Sequence, residues 1–185
     1  MRSVFGVLEG KTVNLRIMEK EDLPLISKWF NDPEYGGEYE PLEQSTVKEL
    51  EKWYDSSRPN EEWFMVEKKD KSRIGHVFHI ASGQGFEIGY RLIPSERNKG
   101  YGAEAVSILV DFLFLSKNTV RIQAKTNPRN VASQRVLEKA GFVKEGVIRK
   151  DVFIRGQWQD GVLYSILREE WNAPRILTNK SERLV

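Results

Sequence analysis

Arg97-Asn98-Lys99-Gly100-Tyr101-Gly102 joins two runs of opposite character. Before it lies Phe86-Glu-Ile-Gly-Tyr-Arg-Leu-Ile-Pro94, rich in β-branched and aromatic residues and closed by a proline, which reads as a strand. After it, residues 103–114 are almost continuously apolar and read as a buried helix. The connector holds two glycines and two cations. Glycine lets backbone approach a ligand closely and adopt positive φ. A helix N-terminus presents unpaired N–H groups and the positive end of its dipole, which together favour an anion. Arg97 and Lys99 add charge-assisted contacts. The segment is therefore expected to hold the phosphates of a cofactor.

Gly100-x-Gly102-x-x-Ala105 also meets the dinucleotide fingerprint of a Rossmann unit. That fold requires a tight turn directly after the strand, whereas Pro94, Ser95, Glu96, Arg97, Asn98 and Lys99 intervene here. It also requires an acid about 20 residues on. The next strand-like run, Arg121-Ile-Gln-Ala-Lys-Thr126, has none.

Outward from this segment the pattern alternates strands and helices. Residues 7–18 read as a first strand with Val13, Leu15 and Ile17 on one face. Residues 22–30 have helical spacing, with Leu23, Ile26 and Phe30 as the buried stripe and Pro24 tolerable only in a first turn. Asp32-Pro33 stops that helix. Thr46-Val-Lys-Glu49 is a capping-box pattern opening a second helix through Trp53. Three strands follow, over 62–67, 73–80 and 86–93. After the apolar helix come a strand at 121–126, a helix at 132–140 ended by Gly141, and a hairpin of strands 146–154 and 161–169 turning at Arg155-Gly156-Gln157-Trp158. No repeat or linker divides the chain, so one domain over 1–171 is expected, followed by a polar, basic tail over 172–185. That tail is expected to be loosely ordered or docked on a partner subunit.

Composition narrows the function classes. Hydrophobic residues make up 39% of the 185 and charged residues 30%, as in an ordinary globular protein. No apolar run approaches the roughly 20 residues of a membrane span, and Met1-Arg-Ser-Val-Phe lacks the apolar core of a signal peptide. The absence of cysteine excludes disulfides, thiolate metal sites and a cysteine acyl-enzyme. A cytoplasmic location is the expectation. Net charge is +2, and the tail alone accounts for it through Arg175, Lys180 and Arg183 against Glu182. The neutral remainder gives no support for a nucleic-acid binder, and no membrane partner is expected. His76 and His79 lie three apart in a strand, face opposite ways and cannot form one metal site. Trp53 and Trp63 read as core or rim packing.

The pattern Arg-x-x-Gly-x-Gly before a helix resembles the acyl-CoA pyrophosphate loop of the GNAT N-acetyltransferase superfamily. Further matches follow in the order which that family requires. Glu87-Ile-Gly-Tyr90 followed by Pro94 resembles its fourth strand. Thr126-Asn-Pro-Arg-Asn-Val-Ala-Ser-Gln-Arg-Val-Leu-Glu-Lys-Ala-Gly-Phe142 resembles the segment after its fifth. Tyr164-Ser-Ile-Leu-Arg-Glu-Glu-Trp171 resembles the last strand of the RimJ/RimL-like branch. The resemblance covers residues 8–171. It implies an α+β fold around a mixed, mainly antiparallel sheet flanked by helices, and transfer of acetyl from acetyl-CoA to an amine within a ternary complex. A protein or peptide N-terminal α-amine is the expected acceptor. Alternatives are a polyamine or aminoglycoside-like amine, a lysine side chain, or, in another class, a non-catalytic module that senses acyl-CoA. Either a monomer or a homodimer is compatible with the sequence.

Candidate site residues follow. By resemblance, Leu92, Ile93, Arg97, Asn98, Lys99, Gly100, Tyr101 and Gly102 face acetyl-CoA, and a backbone N–H near Ile93 meets the acetyl carbonyl. Pro94 has no N–H to offer. Asn127 and Asn130 are turn and cap residues by local pattern. The resemblance adds contacts with the pantetheine amide for Asn127 and with pantetheine or adenosine for Asn130. Glu87, between Phe86 and Ile88 and pointing opposite to them, is the candidate base; otherwise it is an exposed glutamate in a hairpin strand. Many members of the family place a tyrosine four residues after the small residue of Asn-x-x-small. Counted from Asn130 to Ser133, that register meets Leu137, which has no proton to give. Ser133 remains as the acid for the leaving thiolate, or as a helix-interior serine bonded to backbone. For the acceptor, the segment 31–41 carries Asp32, Glu34, Glu38 and Glu40 without a cation of its own, and is expected to attract amines. Tyr35, Tyr39 and Trp158 are expected to add cation–π contacts.

Overall fold

The computed structural model describes residues 7–56 and 59–177. Eight strands form one sheet in the order β1-β2-β3-β4-β5-β6-β8-β7, with β5 and β6 the parallel pair and every other pairing antiparallel. The strands are β1 (Val7–Glu9), β2 (Val13–Ile17), β3 (Glu62–Lys68), β4 (Arg73–Ser82), β5 (Gly85–Leu92), β6 (Arg121–Thr126), β7 (Val143–Ile154) and β8 (Gln157–Leu167). The helices are α1 (Leu23–Phe30), α2 (Pro33–Gly36), α3 (Val47–Asp55), α4 (Tyr101–Ser116) and α5 (Val131–Lys139). Among the described residues no helix is long and apolar enough to cross a membrane, and no acid–histidine cluster fits a metal ion.

The sheet separates two cores. On one face α4 buries Ala105, Val106, Ile108, Leu109, Val110, Leu113 and Phe114 against Phe64, Val77, Phe86, Ile88 and Ile122. Each such aliphatic side chain contributes roughly 1.5–3 kcal/mol by leaving water. On the other face Leu23, Ile26 and Trp29 of α1 and Leu50 of α3 pack on Met65 and Met18. Alternation sends His76 to this second face, among Tyr35, Trp63 and Phe78. His79 goes to the first, against Phe86. Trp53 and Trp63 pack edge to face at 5.0 Å. The capping box of α3 forms as its pattern demands: Thr46 Oγ1 accepts from Glu49 N–H, and Glu49 Oε2 accepts from Thr46 N–H at 2.8 Å.

Three local expectations are corrected. The strand expected over 7–18 is two strands, because the Gly10–Thr12 turn is held by Glu104 of α4, whose Oε1 accepts from Thr12 N–H at 2.8 Å. Asp32-Pro33 stops α1 and also starts α2, with Asp32 accepting from Glu34 N–H at 3.0 Å and Pro33 at the first helical position. The tail turns back as far as residue 177 onto its own chain. Asp111, buried in α4, accepts from Trp171 Nε1 (2.9 Å), Arg175 N–H (2.9 Å), Ile176 N–H (2.7 Å) and Leu177 N–H (3.0 Å). The tail charges at Lys180, Glu182 and Arg183 lie outside the described residues.

Candidate active site

β5 and β6 pair only at Phe86↔Ile122 and Glu87↔Gln123, while β5 runs on beside β4 and β6 beside β8. The two strands therefore part into a V. At its wide end both strands lead into helix N-termini, those of α4 and α5. Gly100 precedes α4 with φ +88 and has no side chain to cap it, so the first amides of α4 lack an intrahelical partner. Asn98 also sits in the left-handed region, at φ +61. A Cβ on Gly102 would point at Leu92 Cδ1 (3.7 Å) and Val136 Cγ2 (3.6 Å), where α4, α5 and β5 meet. The loop is thus a curled, cation-bearing nest with free donors, which fits a pyrophosphate. Lys99 lies at its rim, half exposed, with Nζ 3.0 Å from Glu96 Oε2.

The N–H expected to be available near Ile93 is not that of Ile93 itself. Ile93 N–H donates to Ile74 O at 2.9 Å and so closes the β4–β5 ladder. Donors alternate along an antiparallel strand, which turns Leu92 N–H away from β4 and into the V. The Leu92 carbonyl on that side accepts from Arg97 Nε at 3.0 Å. Arg97 itself is not the free phosphate ligand its position suggests. Its Nη2 donates to Glu34 O (2.8 Å) and Tyr35 O (2.7 Å), across the site.

Ser133 stands in the first turn of α5, its N–H donating to the Asn130 cap at 3.0 Å. Its Oγ lies 2.8 Å from the hydroxyl of Tyr90, which reaches across the V and also donates to the Ser133 carbonyl at 3.1 Å. Burial pushes the Tyr90 phenol pKa up, so it stays a neutral donor. Sequence reasoning quoted Tyr90 without giving it a role; its place on the face opposite Glu87 is the signal that was available. Leu137 is fully buried and serves packing. Asn127 has a local role: its Nδ2 donates to Gln159 Oε1 at 2.6 Å and its Oδ1 accepts from Arg129 N–H at 2.9 Å. One end of its amide ties the β6–α5 connection to β8, and the other closes a turn within that connection. Glu87 sits at the narrow end of the V, accepting from Gln123 Nε2 at 3.0 Å. Leu92 lies five residues, about 16 Å of strand, further along.

The acceptor side differs most from expectation. Tyr35 is 1% exposed, stacked on Trp29 at 5.2 Å and hydrogen-bonded to His76 Nδ1 at 2.8 Å, so it is a core residue and no platform for substrate. Burial, with Arg91 nearby, lowers the His76 pKa to about 3 and keeps the ring neutral. Cations from distant elements reach the 31–41 loop, and one of its acids, Glu40, pairs with one of them. Arg91 of β5 holds Glu40 at 3.0 Å and Glu43 at 2.9 Å. Tyr39 bonds to Glu38 and lies under the guanidinium of Arg129 at 5.7 Å. Arg155 of the β7–β8 turn donates to Gly37 O at 3.2 Å. The Glu34 side chain stays exposed. Trp158 is 56% exposed, meets Phe153 edge to face, and with Lys150 and Gln157 lines an open groove of about 620 Å³.

A V opened between parallel neighbours, a glycine-rich helix N-terminus at its mouth and a covered acceptor side define an acyltransferase site. A family model described as the acetyltransferase (GNAT) domain matches residues 12–143. The chain is 35% identical to a probable N-acetyltransferase, YjcK, of Bacillus subtilis (strain 168), over 89% of this chain and 98% of that one. A solved ribosomal-protein-S5-alanine acetyltransferase from Vibrio fischeri superposes with TM-score 0.77 at 26% identity, covering 90% and 99% of the two chains. Spermidine N-acetyltransferase from Vibrio cholerae, solved with CoA and spermine, gives TM-score 0.78 at 26% identity over 86% and 98%. The chain belongs to the GNAT family and is an N-acetyltransferase.

Proposed function

We propose that this enzyme transfers acetyl from acetyl-CoA to one primary amine, the N-terminal α-amine of a peptide or protein, by direct attack in a ternary complex. Acetyl-CoA supplies the activated acyl group as a thioester. The amides of the 98–102 loop and the first turn of α4, with Lys99, hold its pyrophosphate. Asn130 and Ser133 flank the pantetheine. Leu92 N–H faces the thioester carbonyl, where a backbone donor is worth several kcal/mol to a developing oxyanion. Ser133, held by Tyr90, returns a proton to the leaving thiolate. The amine enters neutral: Glu87, about 16 Å along the strand from Leu92, is beyond the reach of one bridging water.

The observation that carries the acceptor class is the pairing of Glu40 and Glu43 with Arg91. A polyamine needs several free carboxylates along its length. Here Asp32 caps α2, Glu38 holds Tyr39 and Glu40 and Glu43 share one guanidinium, which leaves Glu34. One amine suits that supply. Deprotonating an α-amine at pH 7 costs about 1 kcal/mol against roughly 4–5 for a lysine-like amine, so an α-amine needs no side-chain base within reach.

The test measures CoA release with peptides bearing a free or blocked N-terminus, with spermidine and with an aminoglycoside. Turnover confined to the free N-terminus is the expected result, and Glu87→Gln should leave the pH–rate profile unchanged. A kcat/KM for spermidine above that of every peptide would overturn the acceptor assignment.

A further inference from the structure

We propose that Arg97 is a positioning residue for the acceptor: it clamps the acceptor loop to the end of β5, so that the cofactor loop and the acceptor loop form one body. Three carbonyls converge on the guanidinium. Nε takes Leu92 O at 3.0 Å, while Nη2 takes Glu34 O at 2.8 Å and Tyr35 O at 2.7 Å. These oxygens come from segments 57 and more residues apart in sequence, and a planar fork is the side chain that can hold them together. Gly37 passes close by with φ +77, where a Cβ would lie 3.8 Å from Nη1. Leu92 is the residue whose N–H faces the thioester carbonyl, so the clamp fixes the acceptor loop to the residue that polarises the electrophile.

This geometry assigns the two cations of the loop different duties. Lys99 keeps its ammonium half exposed at the rim, beside the half-buried Glu96, and remains available to phosphate. Arg97 spends Nε and Nη2 on backbone oxygen. The proposal deepens the acceptor reading above and rests on it for its kinetic arm, while its structural arm does not.

Two variants test it, Arg97→Lys and Arg97→Ala. A phosphate contact would survive largely intact in Arg97→Lys, because lysine keeps the charge. The clamp would not, because an ammonium cannot replace a planar fork across three carbonyls. Hydrogen exchange in the free enzyme reads the clamp directly. The amides of Tyr35 and Gly37, bonded to Asp32 O and Pro33 O, are expected to exchange about tenfold faster in both variants. Acceptor KM is expected to rise about tenfold, with the CoA dissociation constant held within about twofold. Unchanged exchange in Arg97→Ala would sink the clamp. So would restoration of wild-type KM by lysine, or a loss of CoA affinity at unchanged acceptor KM. If no peptide serves as substrate, the acceptor assignment fails while the exchange measurement still decides the role of Arg97.

Discussion

Tyr90 has one proton and two oxygens of Ser133 within reach, at 2.8 Å and 3.1 Å. When that proton goes to the carbonyl, the Ser133 hydroxyl is left to donate to Tyr90 or to swing toward a thiolate. Burial keeps the proton on the Tyr90 phenol, and in the proposed mechanism Tyr90 acts by orienting the Ser133 hydroxyl toward the thiolate. Tyr90→Phe is therefore expected to lower kcat about three- to thirtyfold, the worth of one hydrogen bond at a reacting centre. CoA affinity should stay within about twofold. Ser133→Ala should do the same, and the double variant should fall no further than the worse single, because contacting partners are not additive. Additive losses would mean that the two hydroxyls act separately. Steady-state kinetics on the three variants decides it.

At the scale of elements, α4 combines an apolar body with a bare glycine start. Packing alone tolerates a small side chain at Gly102, since the nearest atoms lie 3.6 Å and 3.7 Å from an added Cβ. Gly102→Ala should keep the melting temperature, whereas Gly102→Val drives methyl groups between Leu92 and Val136 and should weaken CoA binding tenfold or more. An unchanged CoA dissociation constant by calorimetry would remove the loop from cofactor binding. This element was legible because its signals are local: the apolar run, the glycine pair, the proline ending β5. The capping box of α3 and the turn at Arg155-Gly156 were legible for the same reason. The acceptor loop was not. Its acids read as free because Arg91, Arg129 and Arg155 reach it from far along the chain, and a single sequence gives no sign of such approach. Tyr35 read as a surface aromatic for the same reason, since His76 and Trp29 bury it from opposite sides of a fold not yet assembled.

For the whole molecule, one acid response lies far from the site. Glu62 at the start of β3 accepts from His79 Nε2 at 3.1 Å and from Lys117 Nζ at 3.0 Å, which lowers its pKa to about 2. A carboxylate with a depressed folded pKa stabilises above its unfolded value near 4.5 and loses that contribution as pH falls toward 2. Urea midpoints should therefore separate wild type from Glu62→Gln at neutral pH. The two curves should converge between about pH 4.5 and 2; a gap constant across that range would mean that the pair adds nothing through ionisation. Asp111 carries a different consequence. It lies at the centre of a helix that the sheet buries early in chain order, yet three of its four donors are the amides of Arg175, Ile176 and Leu177, 64 to 66 residues later. Until those residues arrive, α4 can dock only by enclosing a carboxylate with no partner, at a cost of several kcal/mol. The docking of α4 therefore gains its polar partners only once residues 171–177 have emerged. A prematurely terminated chain holds all of the cofactor loop and still carries this unpaid charge, which exposes it to proteolysis. Asp111 thus ties the settling of α4 to the arrival of residues 171–177.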